Sequence, residues 1–315
     1  MKIKIACLAL IVCSNLFGQQ FKFPKKIQSA VVAIPETQMM VGRYEESVGD
    51  WFAFVYNKYY DEENLQFKDG YEKVMPDSNL MPQKYAFAIR VFSRLMHQPE
   101  QDFVHFYGTN CFQYYYLPLY ASERENTKGQ SSVSMDELSD GARLQRILYF
   151  PMVGVSYDQV QLYLNWRKEL AQNDKAVMKK KYSVNARLMT KEEWGKYASD
   201  LGPHFSENHT IHIDSINALG CYLLKVQESV PCKNSAQAIS LFKSGAVPVY
   251  GYFPDRLGLF CMFGNVWEMT QEKGIAIGGS YADFANRCDA SISLSYTGPQ
   301  ENLGFRCVLE FSQAK

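Results

Sequence analysis

The stretch Gly258-Leu-Phe-Cys-Met-Phe-Gly-Asn-Val-Trp-Glu268 decides how this chain reads. It belongs to a C-terminal third that is rich in glycine and aromatics and is built of short apolar pieces. On its C-terminal side, Ile275-Ala-Ile277 runs into Gly278-Gly279, which predicts a short strand ending in a tight bend. Further on, Leu303-Gly-Phe-Arg-Cys-Val-Leu-Glu-Phe311 alternates. It predicts a strand with Phe305, Cys307, Leu309 and Phe311 on one side.

Upstream the pattern changes to helices. Ser47 precedes the stripe Trp51, Phe54, Val55 and Tyr59, Ser156 precedes Val160, Tyr163, Leu164 and Leu170, and Thr190 precedes Trp194, Tyr197, Ala198 and Leu201. Each start carries a hydroxyl able to cap orphan amides. Gln159 and Glu193 sit where a reciprocal cap belongs, with Asp50 the weaker acidic variant. Each stripe is the face that packs on a core. Helices in the middle followed by irregular β structure predict an α+β fold rather than repeated βαβ units.

The chain has 315 residues, with 33 Lys+Arg balancing 33 Asp+Glu. A net charge of zero and the lack of a long basic run argue against nucleic-acid binding. With 47 % hydrophobic residues, the chain has ample material for a core. The N-terminus has a basic tip at Lys2 and Lys4, an apolar run from Ile5 to Cys13, and Gly18 ahead of Gln19. That is the pattern of a secretory signal peptide over 1–18, and the run is too short to span a bilayer. Cys13 is a candidate lipid-attachment residue, but Val12 before it is large for that processing, so a lipid tether is not the favoured reading. Residues 19–34 read as a loose lead-in. Stretches near 62–84, 121–140 and 202–245 read as insertions on one domain spanning 35–311. An exported chain permits disulfides among Cys111, Cys221, Cys232, Cys261, Cys288 and Cys307. The spacing of Cys221 and Cys232 looks like a local staple. No Cys-x-x-Cys pair exists to support a structural zinc.

Several of these segments, in order, resemble the sulfatase-modifying-factor family, whose founding activity is the formylglycine-generating enzyme. Val41-Gly-Arg-Tyr-Glu45 looks like its opening segment. Pro151-Met-Val-Gly-Val-Ser-Tyr157, running into Tyr163 and Trp166, is similar to its Pro-Val-x-x-Val-Ser-Trp helix. Arg187-Leu-Met-Thr-Lys-Glu-Glu-Trp194 is similar to its Arg-Leu-Pro-Thr-Glu-Ala-Glu-Trp, with Met189 replacing proline. Gly258–Glu268 matches Gly-Leu-x-x-Met-x-Gly-Asn-Val-Trp-Glu, while Gly278-Gly-Ser-Tyr281 and Leu303-Gly-Phe-Arg306 match the last two blocks. The resemblance implies an elaborated C-type-lectin-like α+β fold with much irregular structure.

The resemblance also implies a copper(I) site made by two cysteines, three and eight residues after the Ser of Gly-Gly-Ser. Here Ser280 is present, the first position is Asp283 and the second is Cys288. Copper(I) takes soft thiolates in a near-linear pair, so one carboxylate and one thiolate do not serve it. Met269 stands where the family usually has a substrate-site Trp. Copper binding and formylglycine formation are therefore not expected, and Cys288 is read as an unpaired thiol or as half of a disulfide, with Cys307 the candidate partner. The resemblance further implies a calcium ion at the Gly-Asn-Val-Trp-Glu loop, with side-chain oxygens from Asn265 and Glu268 and backbone carbonyls from Phe263 and Val266. Calcium wants six to eight hard oxygens. The alternative is that Asn265 caps a turn and Glu268 pairs with Arg306.

Weaker candidates complete the reading. His204, His209, His212 and Asp214 share one loop with no familiar zinc spacing, and Asn208-His-Thr210 fits a glycosylation acceptor. Cys111–Tyr120 is aromatic enough to stack on sugars or to pack as core. Three functions compete. The first is a non-catalytic exported scaffold or binding protein of the bacterial envelope (periplasmic, outer-membrane associated or extracellular), since the family domain also occurs in gliding-motility and secretion-associated lipoproteins. Its partner is expected among envelope or secretion-machinery proteins. The second is a copper-dependent oxidase acting on a peptide cysteine. The third is a lectin-like glycan binder.

Overall fold

The computed structural model describes residues 31–80, 149–198, 245–250, 254–255 and 257–313, apart from residues 36, 62, 65 and 78. The expectations for the leader, the histidine loop, Cys111–Tyr120, Cys221, Cys232 and the insertions at 121–140 and 202–244 lie outside them.

The helix starts are local and fold as their side chains dictate. Helix α1 (Val48–Tyr59) begins at Ser47, whose hydroxyl accepts from the Asp50 amide while the Asp50 carboxylate accepts from the Ser47 amide. Helix α2 (Tyr157–Gln172) has the same reciprocal cap between Ser156 and Gln159. Beyond it lie α3 (Lys175–Lys180) and α4 (Lys191–Ala198). The α4 start repeats the device with Thr190 and Glu193. Each such cap satisfies amides that the first helical turn leaves without carbonyl partners.

Among the described residues, the longer strand arrays are two four-stranded sheets. The first has β1 (Val31–Ala33), β2 (Met39–Gly42), β10 (Val308–Gln313) and β5 (Tyr182–Arg187), in that order and antiparallel throughout. Val31–Ala33, expected within a loose lead-in, is thus an edge strand, its register set by Val32 facing Val41. The second sheet has β8 (Ser293–Ser295), β7 (Ile275–Ile277), β6 (Trp267–Met269) and β9 (Leu303–Gly304), with β6 and β9 parallel. A small hairpin of β3 (Tyr60–Asp61) and β4 (Gln66–Phe67), then a 3-10 turn over Tyr71–Val74, occupies the start of the 62–84 stretch.

The 303–311 segment is not one strand. It gives β9 to one sheet and β10 to the other, and residues 305–307 cross between them. Its alternation survives: Phe305, Cys307, Leu309 and Phe311 all enter one core cluster, and Val308 enters the other. The break falls at Arg306, whose side chain is committed to a partner on β6.

The larger cluster lies between α1, α2 and the sheets. Trp51 stacks on Tyr163 with centroids 5.5 Å apart, and Phe54, Trp166 and Phe305 meet this pair edge-on or tilted. The Trp51 indole donates to the Val74 carbonyl at 2.9 Å, so the ring buries its area without orphaning its N–H. The smaller cluster gathers Trp194, Phe263, Met189, Tyr197 and Cys288 beneath the glycine-rich loops. Truncating a central ring such as Trp51 costs about 3–5 kcal/mol. Among the described residues, no helix is long and apolar enough to cross a membrane.

Candidate functional site

The glycine-rich segments converge on a buried ion pair. Glu268, on β6, lies opposite Ile277 of β7 and beside Gly304 of β9. Arg306 donates from Nε to both Glu268 oxygens at 3.0 and 3.2 Å, and from Nη2 to Oε1 at 2.6 Å. Its remaining donors reach the carbonyls of Gly42 at 3.0 Å and Phe260 at 2.7 Å. The Trp194 indole adds a bond to Glu268 Oε2 at 3.1 Å. One guanidinium thereby fastens both sheets and the 258–268 loop. The planar fork makes this geometry specific to arginine.

Asn265 sits beside the pair in left-handed backbone geometry, φ +59°. Its Oδ1 accepts from the Val247 amide at 2.9 Å, and its Nδ2 donates to Glu45 Oε2 at 2.8 Å. Its carbonyl accepts from the Tyr281 amide. Burial holds the Glu45 carboxyl well above the usual range, against the opposing pull of Arg306.

The residues expected to hold calcium are therefore brought together, but their side-chain oxygens are already engaged. Glu268 serves Arg306 and Trp194, and Asn265 Oδ1 serves an amide. Calcium's demand for six to eight oxygens is not met unless Glu268 leaves Arg306. The donor set as arranged fits a guanidinium better than a divalent ion. Phe263 and Val266 are both buried against this loop.

The second half of the site is the loop after β7. Gly278 and Gly279 have φ of +100° and +76°. A Cβ on Gly278 would lie 2.8 Å from the Met262 carbonyl oxygen, and one on Gly279 would lie 2.3 Å from Cys288 Sγ. Only glycine fits both the turn and the approach. The turn delivers Ser280 into a closed network. Its hydroxyl donates to Asp283 Oδ2 at 2.5 Å and accepts from Asn302 Nδ2 at 3.1 Å. The Trp267 indole donates to the same Asp283 oxygen at 2.7 Å. The other oxygen lies 3.8 Å from Arg287 Nε.

Asp283, at the first copper position, is thus joined to Ser280, the residue from which that position is counted. Cys288 belongs to the apolar cluster around Trp194, packed on Gly279, with its Sγ 3.9 Å from the Phe284 carbonyl. Met269 lies in the larger core cluster. Cys307 is in that larger cluster too, while Cys288 is in the other, and no disulfide joins any of Cys261, Cys288 and Cys307. The proposed Cys288–Cys307 bond is therefore not formed. Among the described residues, no group of three or more His, Cys, Asp and Glu could hold a metal. Sequence reading missed Trp267 and Asn302 as partners of the loop, and Glu45 as the partner of Asn265. Trp267 and Glu45 are buried and lie inside matching blocks, which gave no pairing, while Asn302 lies one residue outside its block.

A separate surface cleft of about 510 Å³ lies between the Tyr71–Val74 turn and the start of α2. Lys73, Met75, Asp158, Gln159 and Leu162 line it.

Two sheets held by a buried Arg–Glu pair, with glycine-rich loops closing over it, define an α+β domain with much irregular structure. This architecture and its motifs place the chain in a known class: it belongs to the family of the sulfatase-modifying factor enzyme 1-like domain, which matches residues 34–311. The chain is similar to the structure of PvdO from Pseudomonas aeruginosa, at 14 % identity and a TM-score of 0.34, over 52 % of this chain and 63 % of that one. It is similar to Treponema denticola variable protein 1 at 15 % identity and a TM-score of 0.34, over 89 % and 91 % of the two chains. Likeness to CarF is at 24 % identity and a TM-score of 0.28, over 41 % and 48 %. The chain thus spans less than two thirds of PvdO and about half of CarF. No curated protein matches.

Proposed function

We propose that this chain is an exported scaffold or binding protein of the bacterial envelope, built on a sulfatase-modifying-factor framework and without the founding oxidation. One observation carries the reading. The residue at the first copper position, Asp283, spends its carboxylate on Trp267 and Ser280, while the thiol at the second, Cys288, packs under Gly279 in an apolar cluster. Copper(I) chemistry requires two soft sulfurs facing one ion. Here a hard oxygen stands in place of one of them, and it is bonded as a structural acceptor.

What remains is a frame of two sheets fastened by the buried Arg306–Glu268 pair, which suits holding a partner in place. The proposed partner is a protein of the envelope or of a secretion or gliding apparatus, and the test has two arms. The purified exported chain, incubated aerobically with copper and a sulfatase peptide containing the target cysteine, should yield no formylglycine by mass spectrometry. The same chain, tagged and cross-linked in envelope fractions, should recover a stable protein partner. Formylglycine on the peptide would overturn the reading, and so would recovery of no partner.

A further inference from the structure

A second buried polar cluster, unrelated to the glycine-rich loops, lies at the junction between β2 and α1. Glu46 is 4 % exposed. Its amide donates to the Phe305 carbonyl and its carbonyl accepts from the Met152 amide, both at 2.8 Å. The residue therefore holds the junction to two other segments by backbone alone. Its side chain ties it to a third. The Tyr163 hydroxyl, from the middle of α2, donates to Oε2. Arg167, one turn further along α2, places Nη2 3.9 Å from Oε1, and its Nε has no partner.

The charged and titratable groups facing Glu46 come from three elements. Helix α1 contributes Asp50, α2 contributes Tyr163 and Arg167, and the crossing between β9 and β10 contributes the Cys307 amide and thiol. Two carboxyls thus share one guanidinium that neither holds closely: Asp50 is spent on the Ser47 amide and hydroxyl. An ionised Glu46 has only Tyr163, one amide and a distant cation to replace its water. Burial accordingly raises its pKa to about 6, against the lowering influence of Arg167, Tyr163 and Cys307. Tyr163 is raised by burial, and Cys307 is raised to about 12 for the same reason, so neither titrates near this range.

We propose that Glu46 is a proton-operated tie: protonated, it locks α2 to the β2–α1 junction, and ionised, it lets water into that contact. The first turns of α2 form one wall of the surface cleft, so the tie also sets how firmly that wall is held. The pKa shift amounts to an about thirty-fold tighter hold on the proton in the folded chain.

The test uses the full exported chain and amide hydrogen exchange, corrected for the intrinsic pH dependence of exchange. Protection at the Met152 and Val48 amides should fall about eightfold between about pH 5 and pH 7 in the wild type, and should stay level in Glu46→Gln. Level protection in the wild type would overturn the proposal. A second readout does not depend on that variant folding. The carbon-13 carboxyl signal of Glu46 should titrate with a midpoint near 6. Tyr163→Phe, which removes a donor to the carboxylate, should move that midpoint upward. A midpoint at the ordinary glutamate value, or no movement in Tyr163→Phe, would also overturn it.

Discussion

The Trp267 indole nitrogen donates to Asp283 at 2.7 Å across sixteen residues of chain. That bond ties β6 to the loop after β7, and its contribution can be measured.

Asp283→Ala should destabilise the chain by about 1–3 kcal/mol, because it leaves the Trp267 N–H and the Ser280 hydroxyl without their shared acceptor. Asp283→Asn keeps one oxygen and should cost less. Asp283→Cys should behave like the alanine variant in stability, since a thiol does not replace the carboxylate that accepts from Trp267 and Ser280. Urea unfolding of the three variants checks the order.

Arg306→Met should be far more costly, about 3–5 kcal/mol, because it strands a buried Glu268. The double variant Arg306→Met with Glu268→Gln should recover part of that loss. A double-mutant cycle reads the coupling directly.

Gly279→Ala should lower stability by about 1–3 kcal/mol through overpacking at positive φ. Adding Cys288→Ala removes the nearest sulfur but not the Cys288 Cα, which lies 2.9 Å from the new methyl. The pair should therefore recover only in part. Thermal melts of the single and double variants separate the two contributions.

Stability should fall as pH rises from about 4 to about 6. Burial lifts Asp255 from 3.8 to about 6, ahead of the lowering effect of the Leu259 amide. A carboxyl whose folded pKa is raised contributes stability that is full below its unfolded pKa and lost as pH climbs through the folded one. The loss from Asp255 is on the order of 2 kcal/mol. Asp255→Asn keeps the acceptor for the Leu259 amide and should flatten the slope, as denaturant midpoints across this range will show.

Calcium addition and chelator treatment should leave the melting temperature unchanged. Both Glu268 oxygens are bonded to Arg306 and Trp194, so an ion would have to break the pair before it could bind. A calcium-dependent rise in melting temperature would show that Glu268 does exchange partners.

Local features of the fold were legible. The three helix starts each needed only a hydroxyl and a residue three further on, and all three formed reciprocal caps. The alternation of Phe305, Cys307, Leu309 and Phe311 named the right face. It could not show that the segment breaks between two sheets, because the break answers to Glu268, thirty-eight residues away. Val31–Ala33 has the apolar residues of a strand, but its strand state depends on pairing with β2. The site was half legible. Ser280 and Asp283 were named together from the family resemblance, and the Arg306–Glu268 pair was foreseen as one alternative. The partnership of Asn265 with Glu45 spans 220 residues, and no local pattern encodes it. Cys288 could not be placed either, since its surroundings are set by the turn at Gly278 and Gly279.

A competition titration of the reduced chain against a copper(I) chelator tests the account most directly. The chelator should retain the metal, and Cys288 should be equally slow to alkylate with or without copper. One equivalent of copper drawn from the chelator, with Cys288 shielded by it, would show that a soft pair does assemble and would return the chain to the oxidases.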